Sequence, residues 1–205
     1  MSGHFIQLIH AVTAAKAPIH DAFDRLWPVA RVEDLEDLSL PGDLAAAGSL
    51  TEAFTSRMAE LIDQGVRAGA DAVLFTCSAF AAAIDAAKEG VTIPVLKPDE
   101  AMIERALSLG THIGGLATFE PSIQSLTSEL LAAAERQGTQ PEITLRHVTS
   151  DQIVSAAAEM TDVDALLLAQ FSMVGAKDDI ADVPGRPVLT APDEAVLKLK
   201  GILEG

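Results

Sequence analysis

Short, unbroken apolar runs alternate along this chain with longer stretches in which apolar residues recur every three or four positions. The first pattern predicts strands buried on both faces, and the second predicts helices packed over them. Phe5–His10 is the first apolar run. A helix is predicted over 18–27, with Pro18 in its opening turn. A weak second strand follows over 29–32. The polar stretch 34–48, with its Pro and Gly, reads as a long loop. Ser49-Leu50-Thr51-Glu52 has capping-box spacing for a helix ending near Ala68, where Gly69 supplies the stop. Further strands are predicted over 73–75, 94–96, 112–117, 143–148, 165–168 and 187–189. The helices between and after them fall over 79–88, 98–109, 121–136 and 150–160, then a shorter one, then 192–203. Strand and helix in steady alternation predict an α/β fold with parallel sheets covered on both faces.

The chain also repeats itself. Ala70-Asp71-Ala72-Val73-Leu74-Phe75-Thr76-Cys77-Ser78-Ala79-Phe80 aligns with Val163-Asp164-Ala165-Leu166-Leu167-Leu168-Ala169-Gln170-Phe171-Ser172-Met173, and Cys77 falls on Gln170. The next strands match as well: Ile93-Pro94-Val95-Leu96 pairs with Arg186-Pro187-Val188-Leu189, with one residue inserted before Pro192. A twofold repeat fits two doubly wound four-stranded halves. An eight-unit barrel is the second reading, because such barrels run to about 250 residues and repeat eightfold. In open α/β sheets ligands bind beyond the carboxyl ends of the strands. His10, Cys77, Lys97, Thr118, Gln170 and Thr190 lie at or just past such ends.

Composition narrows the partners. The net charge of −16 disfavours nucleic acid and anionic membrane surfaces, which need clustered Lys and Arg. A single cysteine excludes an internal disulfide and a Cys-rich zinc site. The N-terminus lacks the basic and apolar regions of a signal peptide, and the longest apolar run, 165–174, is too short to span a bilayer. These features point to a cytoplasmic protein with no membrane partner; a homo-oligomer is compatible with them. There is no glycine-rich nucleotide loop and no metal-ligand spacing, so no cofactor is expected.

Three segments together resemble the aspartate/glutamate racemase superfamily, which includes hydantoin racemase, maleate isomerase and arylmalonate decarboxylase. They are Asp71-Ala72-Val73-Leu74-Phe75-Thr76-Cys77-Ser78, Ile113-Gly114-Gly115-Leu116-Ala117-Thr118, and Asp164-Ala165-Leu166-Leu167-Leu168-Ala169-Gln170-Phe171-Ser172-Met173. The resemblance covers nearly the whole chain. It implies two pseudo-symmetric α/β halves with the active site between them: residues 1–97 completed by 190–205, and residues 98–189. It further implies a cysteine from each half facing the α-carbon of a small carboxylic acid. Cys77 matches the first cysteine, and Gln170 stands where the second would be. Arylmalonate decarboxylase also has one cysteine of the pair, but in the opposite half.

An amide has no useful proton affinity near neutral pH, so Gln170 can hold a substrate but cannot serve as the second base. Cys77, at a strand-to-helix turn, is the candidate catalytic thiol, and a helix start there would lower its pKa. Thr76, Ser78, Thr118 and Ser172 lie at the matching turns, where hydroxyls and backbone N–H groups can cradle a carboxylate. Ser122 shares that setting with less support. His10 ends the first strand and could polarise a carboxylate or act as an unorthodox second base. Thr13, in the first strand-to-helix loop, is a candidate by position. Lys97 reads as a solvated lysine, and His20 as helix surface. The sequence thus predicts cofactor-independent carbanion or enediolate chemistry on a small carboxylic acid with one thiol acid/base, of isomerase or decarboxylase type. The alternative is a catalytically decayed member of the fold that binds a small carboxylate.

Overall fold

The computed structural model describes residues 3–180 and 186–205, apart from the side chain of Pro121. The first sheet is built from β1 (Phe5–His10), β2 (Arg31–Glu36), β3 (Ala72–Phe75) and β4 (Val95–Leu96). Its helices are α1 (Lys16–Leu26), α2 (Leu40–Ala47), α3 (Glu52–Arg67) and α4 (Ala81–Ala87). The second sheet holds β5 (His112–Ala117), β6 (Glu142–His147), β7 (Ala165–Leu168) and β8 (Val188–Thr190). With it come α5 (Glu100–Leu109), α6 (Glu120–Gln137), α7 (Ile153–Glu159) and α8 (Lys177–Ile180), and the chain closes with α9 (Ala191–Glu204), most of which belongs to the first unit. Both sheets are wholly parallel. Their orders are β2-β1-β3-β4 and β6-β5-β7-β8, so the strands form two open sheets and not one closed barrel.

The chain divides into two compact units, one running to Pro98 and including Ala195–Gly205, the other Asp99–Glu194. In the first, Phe54, Met58 and Ile62 of α3 pack with Ile84 of α4, Phe75 of β3 and Phe80, and the Phe54 and Phe80 rings lie 5.8 Å apart. Each such fully buried side chain contributes about 1.5–3 kcal/mol. The end of α9 is tied into this unit by the buried Trp27, whose Nε1 donates to Glu204 at 2.7 Å, and by Lys200, which donates to the Leu26 carbonyl. In the second unit, Leu116, Leu166 and Leu168 of the sheet pack against Ile153, Ala157 and Met160.

The repeated aspartate has the same work in each unit. Asp71 precedes β3, and its carboxylate accepts from the Phe5 N–H at 2.7 Å while its own N–H donates to the Phe5 carbonyl. Asp164 precedes β7 and accepts from the N–H groups of Thr111 and His112 at 2.8 Å each, returning its N–H to the His112 carbonyl. Those two N–H donors hold the Asp164 carboxyl below its ordinary pKa. Gly114 and Gly115 answer to packing. A Cβ at 115 would lie 2.6 Å from Leu145, and one at 114 would lie 2.9 Å from Met160.

Local structure departs from the sequence expectation in four places. The predicted loop 34–48 is instead the end of β2 followed by α2. β2 is an edge strand with polar, largely exposed positions, so it lacks an apolar run, yet six of its residues pair in register with β1. α2 is held down by Arg57, which donates to both carboxylate oxygens of Asp37 at 2.5 Å and to Asp43 at 2.6 Å. The capping box at Ser49 does not form, because α3 starts later, with Thr51 as its N-cap. The helices predicted after Cys77 and after Gln170 both begin as 3-10 turns, Ser78–Phe80 and Phe171–Ala176, ahead of the short α4 and α8.

Candidate functional site

In each sheet the chain leaves one central strand in one direction and the other in the opposite direction. That switch lies between β1 and β3 in the first unit and between β5 and β7 in the second. The space beyond the carboxyl ends of those strands is where open parallel sheets bind ligands. His10 ends β1, and Cys77 stands two residues past β3. Thr118 follows β5, and Gln170 stands two residues past β7. Cys77 and Gln170 occupy the same station: each is the extended residue that opens a 3-10 turn, with φ/ψ of −129°/116° and −126°/147°.

In the first unit Cys77 is half-buried, its inner side packed on the apolar core. Ser78 is half-buried beside it. Thr13 is exposed, in the 3-10 turn Thr13–Ala15 after β1. Thr76 and His10 are joined: the Thr76 hydroxyl lies 2.9 Å from His10 Nδ1 and 3.3 Å from the Ile9 carbonyl oxygen. His10 is wholly buried, and its Nε2 lies 3.1 Å from Asp34 Oδ1. Burial pushes the His10 pKa below the ordinary histidine value, against the opposing pull of Asp34. Asp34 itself is shared among three donors. His20 reaches the same oxygen at 2.8 Å, and Lys16 reaches the other at 2.9 Å while also bonding Glu36. Burial alone would raise the Asp34 pKa; hydrogen bonds from Lys16, His20 and His10 outweigh it and hold the carboxyl at about 2.

A carboxylate can only accept, so His10 Nε2 carries a proton. In the neutral ring Nδ1 is then the acceptor for the Thr76 hydroxyl. Both ring nitrogens are thereby engaged inside the protein. The sequence points to His10 as a substrate-facing group and to His20 as helix surface. Their meeting at Asp34 is not legible there, because Asp34 lies in a stretch that reads as loop. Lys97 also differs from expectation. It is buried, not solvated, and donates to Asp85 at 2.7 Å.

In the second unit the Gln170 side chain closes a small network. Its Oε1 accepts from the Thr118 backbone N–H at 2.9 Å and from the Thr118 hydroxyl at 3.3 Å. Its Nε2 donates to the Ser122 hydroxyl at 3.2 Å. Thr118, Ser122 and Gln170 are thus brought together at the start of α6, whereas Ser172 is exposed in the turn after Gln170. Among the described residues, no group of three or more His, Cys, Asp or Glu is placed to hold a metal ion. Nor is any described helix long and apolar enough to cross a membrane.

The family model for Asp/Glu/Hydantoin racemase matches residues 7–199. The chain belongs to the Asp/Glu/hydantoin racemase family. A sequence comparison with curated proteins gives no match. Among solved structures, the glutamate racemase from Bacillus anthracis aligns over 100% of this chain and 83% of its own, at 17% identity and a TM-score of 0.72. The aspartate racemase homologue from Pyrococcus horikoshii aligns over 100% of both chains, at 13% identity and a TM-score of 0.73. A glycine-to-cysteine mutant of arylmalonate decarboxylase aligns over 96% of this chain and 93% of its own, at 18% identity and a TM-score of 0.64. At these identities the likeness is one of fold. Within that racemase fold, this chain presents a thiol after β3 and an amide at the equivalent place after β7.

Proposed function

We propose that this member of the racemase family is a cofactor-independent enzyme that generates and protonates a carbanion or enediolate next to the carboxylate of a small acid, with Cys77 as its sole thiol acid/base. The observation that carries the reading is the thiol at the switch point of the first sheet, matched in the second by Gln170 with its amide already engaged. As a thiolate, Cys77 takes the α-proton, and the electron pair moves onto the carboxylate as an enediolate; the same thiol then returns a proton to carbon. In the decarboxylase form, a C–C bond breaks and CO2 leaves. The pair stays on the enediolate, and Cys77 as the thiol supplies the proton. In the covalent isomerase form, the Cys77 thiolate adds to a carbon–carbon double bond beside the carboxylate and the π pair moves onto the carboxylate as an enediolate; after rotation about the resulting single bond the pair returns, the double bond re-forms and the thiolate leaves. Donors beside the thiol at the strand end, such as the Ser78 hydroxyl, stabilise the charge that develops on the carboxylate oxygens.

The test is deuterium incorporation from solvent at the α-carbon, together with CO2 release, across a panel of small amino, hydroxy and malonate-type acids. Wild type exchanges or decarboxylates at least one of them, and Cys77→Ala loses the activity while keeping its melting temperature. If acids bind without exchange or turnover, and Cys77→Ala binds them equally well, the chain is a carboxylate-binding descendant of the family instead.

A further inference from the structure

The polar cluster of His10, Thr76 and Asp34 has no counterpart in the second unit. The strand registers fix the equivalent positions. Thr76 donates its N–H to the Ile9 carbonyl as Ala169 does to that of Leu116, and the His10 and Ala117 carbonyls each accept the N–H that follows the edge strand. Leu8 pairs with Asp34 as Gly115 pairs with Leu145. Where the first unit has His10, Thr76 and Asp34, the second therefore has Ala117, Ala169 and Leu145. The fold itself does not need the polar trio, since the same sheet closes with three apolar residues. His10 and Thr76 are buried, and a buried polar group costs stability unless satisfied, so the confinement of this cluster to the thiol-bearing unit calls for a local purpose.

We propose that His10 is a positioning residue for Cys77: anchored by Asp34, it fixes the Thr76 hydroxyl and with it the peptide that carries the thiol. The inference rests on the reading of Cys77 as the functional thiol. The wholly buried ring touches no solvent, so His10 acts through Thr76. One Thr76 proton has two acceptors within reach, His10 Nδ1 and the Ile9 carbonyl. With neutral His10 the hydroxyl donates to the ring; with protonated His10 it accepts from the ring and turns its proton to Ile9. The direction of this hydrogen bond, one residue from the thiol, is therefore set by the charge on His10. That charge is governed by the groups facing it: Asp34 from β2, and Lys16 and His20 from α1, with Glu36 sharing Lys16.

The experiment follows the rate of Cys77 alkylation by iodoacetamide against pH in the full chain. The variants are Thr76→Val, Thr76→Ser and Asp34→Asn, each checked by thermal melting. Thr76→Val keeps the volume but removes the hydroxyl. It should shift the midpoint of the profile by about half a pH unit or more, and change the plateau rate about tenfold. Thr76→Ser restores the hydroxyl and should return both values to those of wild type. Asp34→Asn, which touches His10 but not Thr76, should shift the midpoint in the same direction as Thr76→Val. Wild-type profiles in Thr76→Val or in Asp34→Asn would overturn the proposal. If Thr76→Val does not fold, the near-isosteric Asp34→Asn decides by itself. The readout needs no substrate, so loss of this role is distinguishable from loss of the proposed activity, which Cys77→Ala tests separately.

Discussion

Gln170 Oε1 lies 2.9 Å from the Thr118 backbone nitrogen, and the Thr118 hydroxyl donates to the same oxygen. The residue at the station equivalent to Cys77 therefore also occupies the N–H and hydroxyl at the start of α6. Its remaining capacity is one amide N–H, the other being directed at Ser122.

A thiol-pair racemase needs an acid and a base on opposite faces of the α-carbon, and Gln170 supplies neither. Native protein is accordingly expected to show weak or no racemisation of aspartate or glutamate, and its exchange should be confined to one enantiomer. Gln170→Cys restores a second thiol and should add exchange from the other enantiomer. Rates will fall on the order of a hundredfold short of an optimised pair if the new thiol sits near 1 Å out of place. Proton exchange and optical rotation, followed together from single enantiomers, check this. Rapid two-sided racemisation by the native chain would refute the one-thiol assignment.

The Asp34 cluster predicts acid sensitivity. Asp34 is held at about 2 against an ordinary value of 3.8, so its contribution to stability is complete above 3.8 and is lost as pH falls toward 2. His10 is also held below its ordinary 6.5, so the fold favours its neutral form, and stability erodes as pH falls below 6.5. Thermal melts of wild type should decline through both windows. Asp34→Asn should melt lower than wild type near neutral pH and lose less between pH 4 and 2, so that the two curves converge. Parallel curves would mean that Asp34 is not linked to folding.

Two glycines should respond in opposite directions to alanine. At Gly110 a Cβ would lie 2.1 Å from Asp164 Oδ2, the oxygen that accepts from Thr111 and His112. Gly110→Ala must push this carboxylate away from the start of β5 and should cost about 2 kcal/mol or more. Gly42 lies within α2, and the position a methyl group would take there has nothing within 4 Å beyond its chain neighbours and the adjoining helix backbone. Gly42→Ala should therefore stabilise by about 0.5–1 kcal/mol. Denaturant midpoints that moved the same way for both would contradict the packing described for these positions.

Much of the architecture is carried by local pattern. The apolar runs at Phe5–His10 and His112–Ala117 appear as strands with those bounds, and Gly69, Gly90 and Gly138 fall at chain reversals with φ of +83°, +78° and +68°. The repeat in the sequence puts Cys77 opposite Gln170, and the two residues share a station because the same strand-and-turn pattern is written twice. These features depend on periodicity, glycine conformation and residue identity, all of which are local.

What local pattern could not settle was decided by contacts far apart in the chain. β2 carries almost no apolar signal, and it is a strand because β1 pairs with it along six residues. That pairing sets Asp34 beside His10 and carries the end of β2 to where Arg57 can clamp Asp37 and Asp43. Lys97 is buried because Asp85, on the neighbouring α4, meets it. The sequence alone placed a thiol and an amide at equivalent positions of its two repeats. Tertiary structure alone decided that His10 faces Thr76 and Asp34, because hydrogen-bond partners of a buried ring are chosen by the strands and helices that surround it.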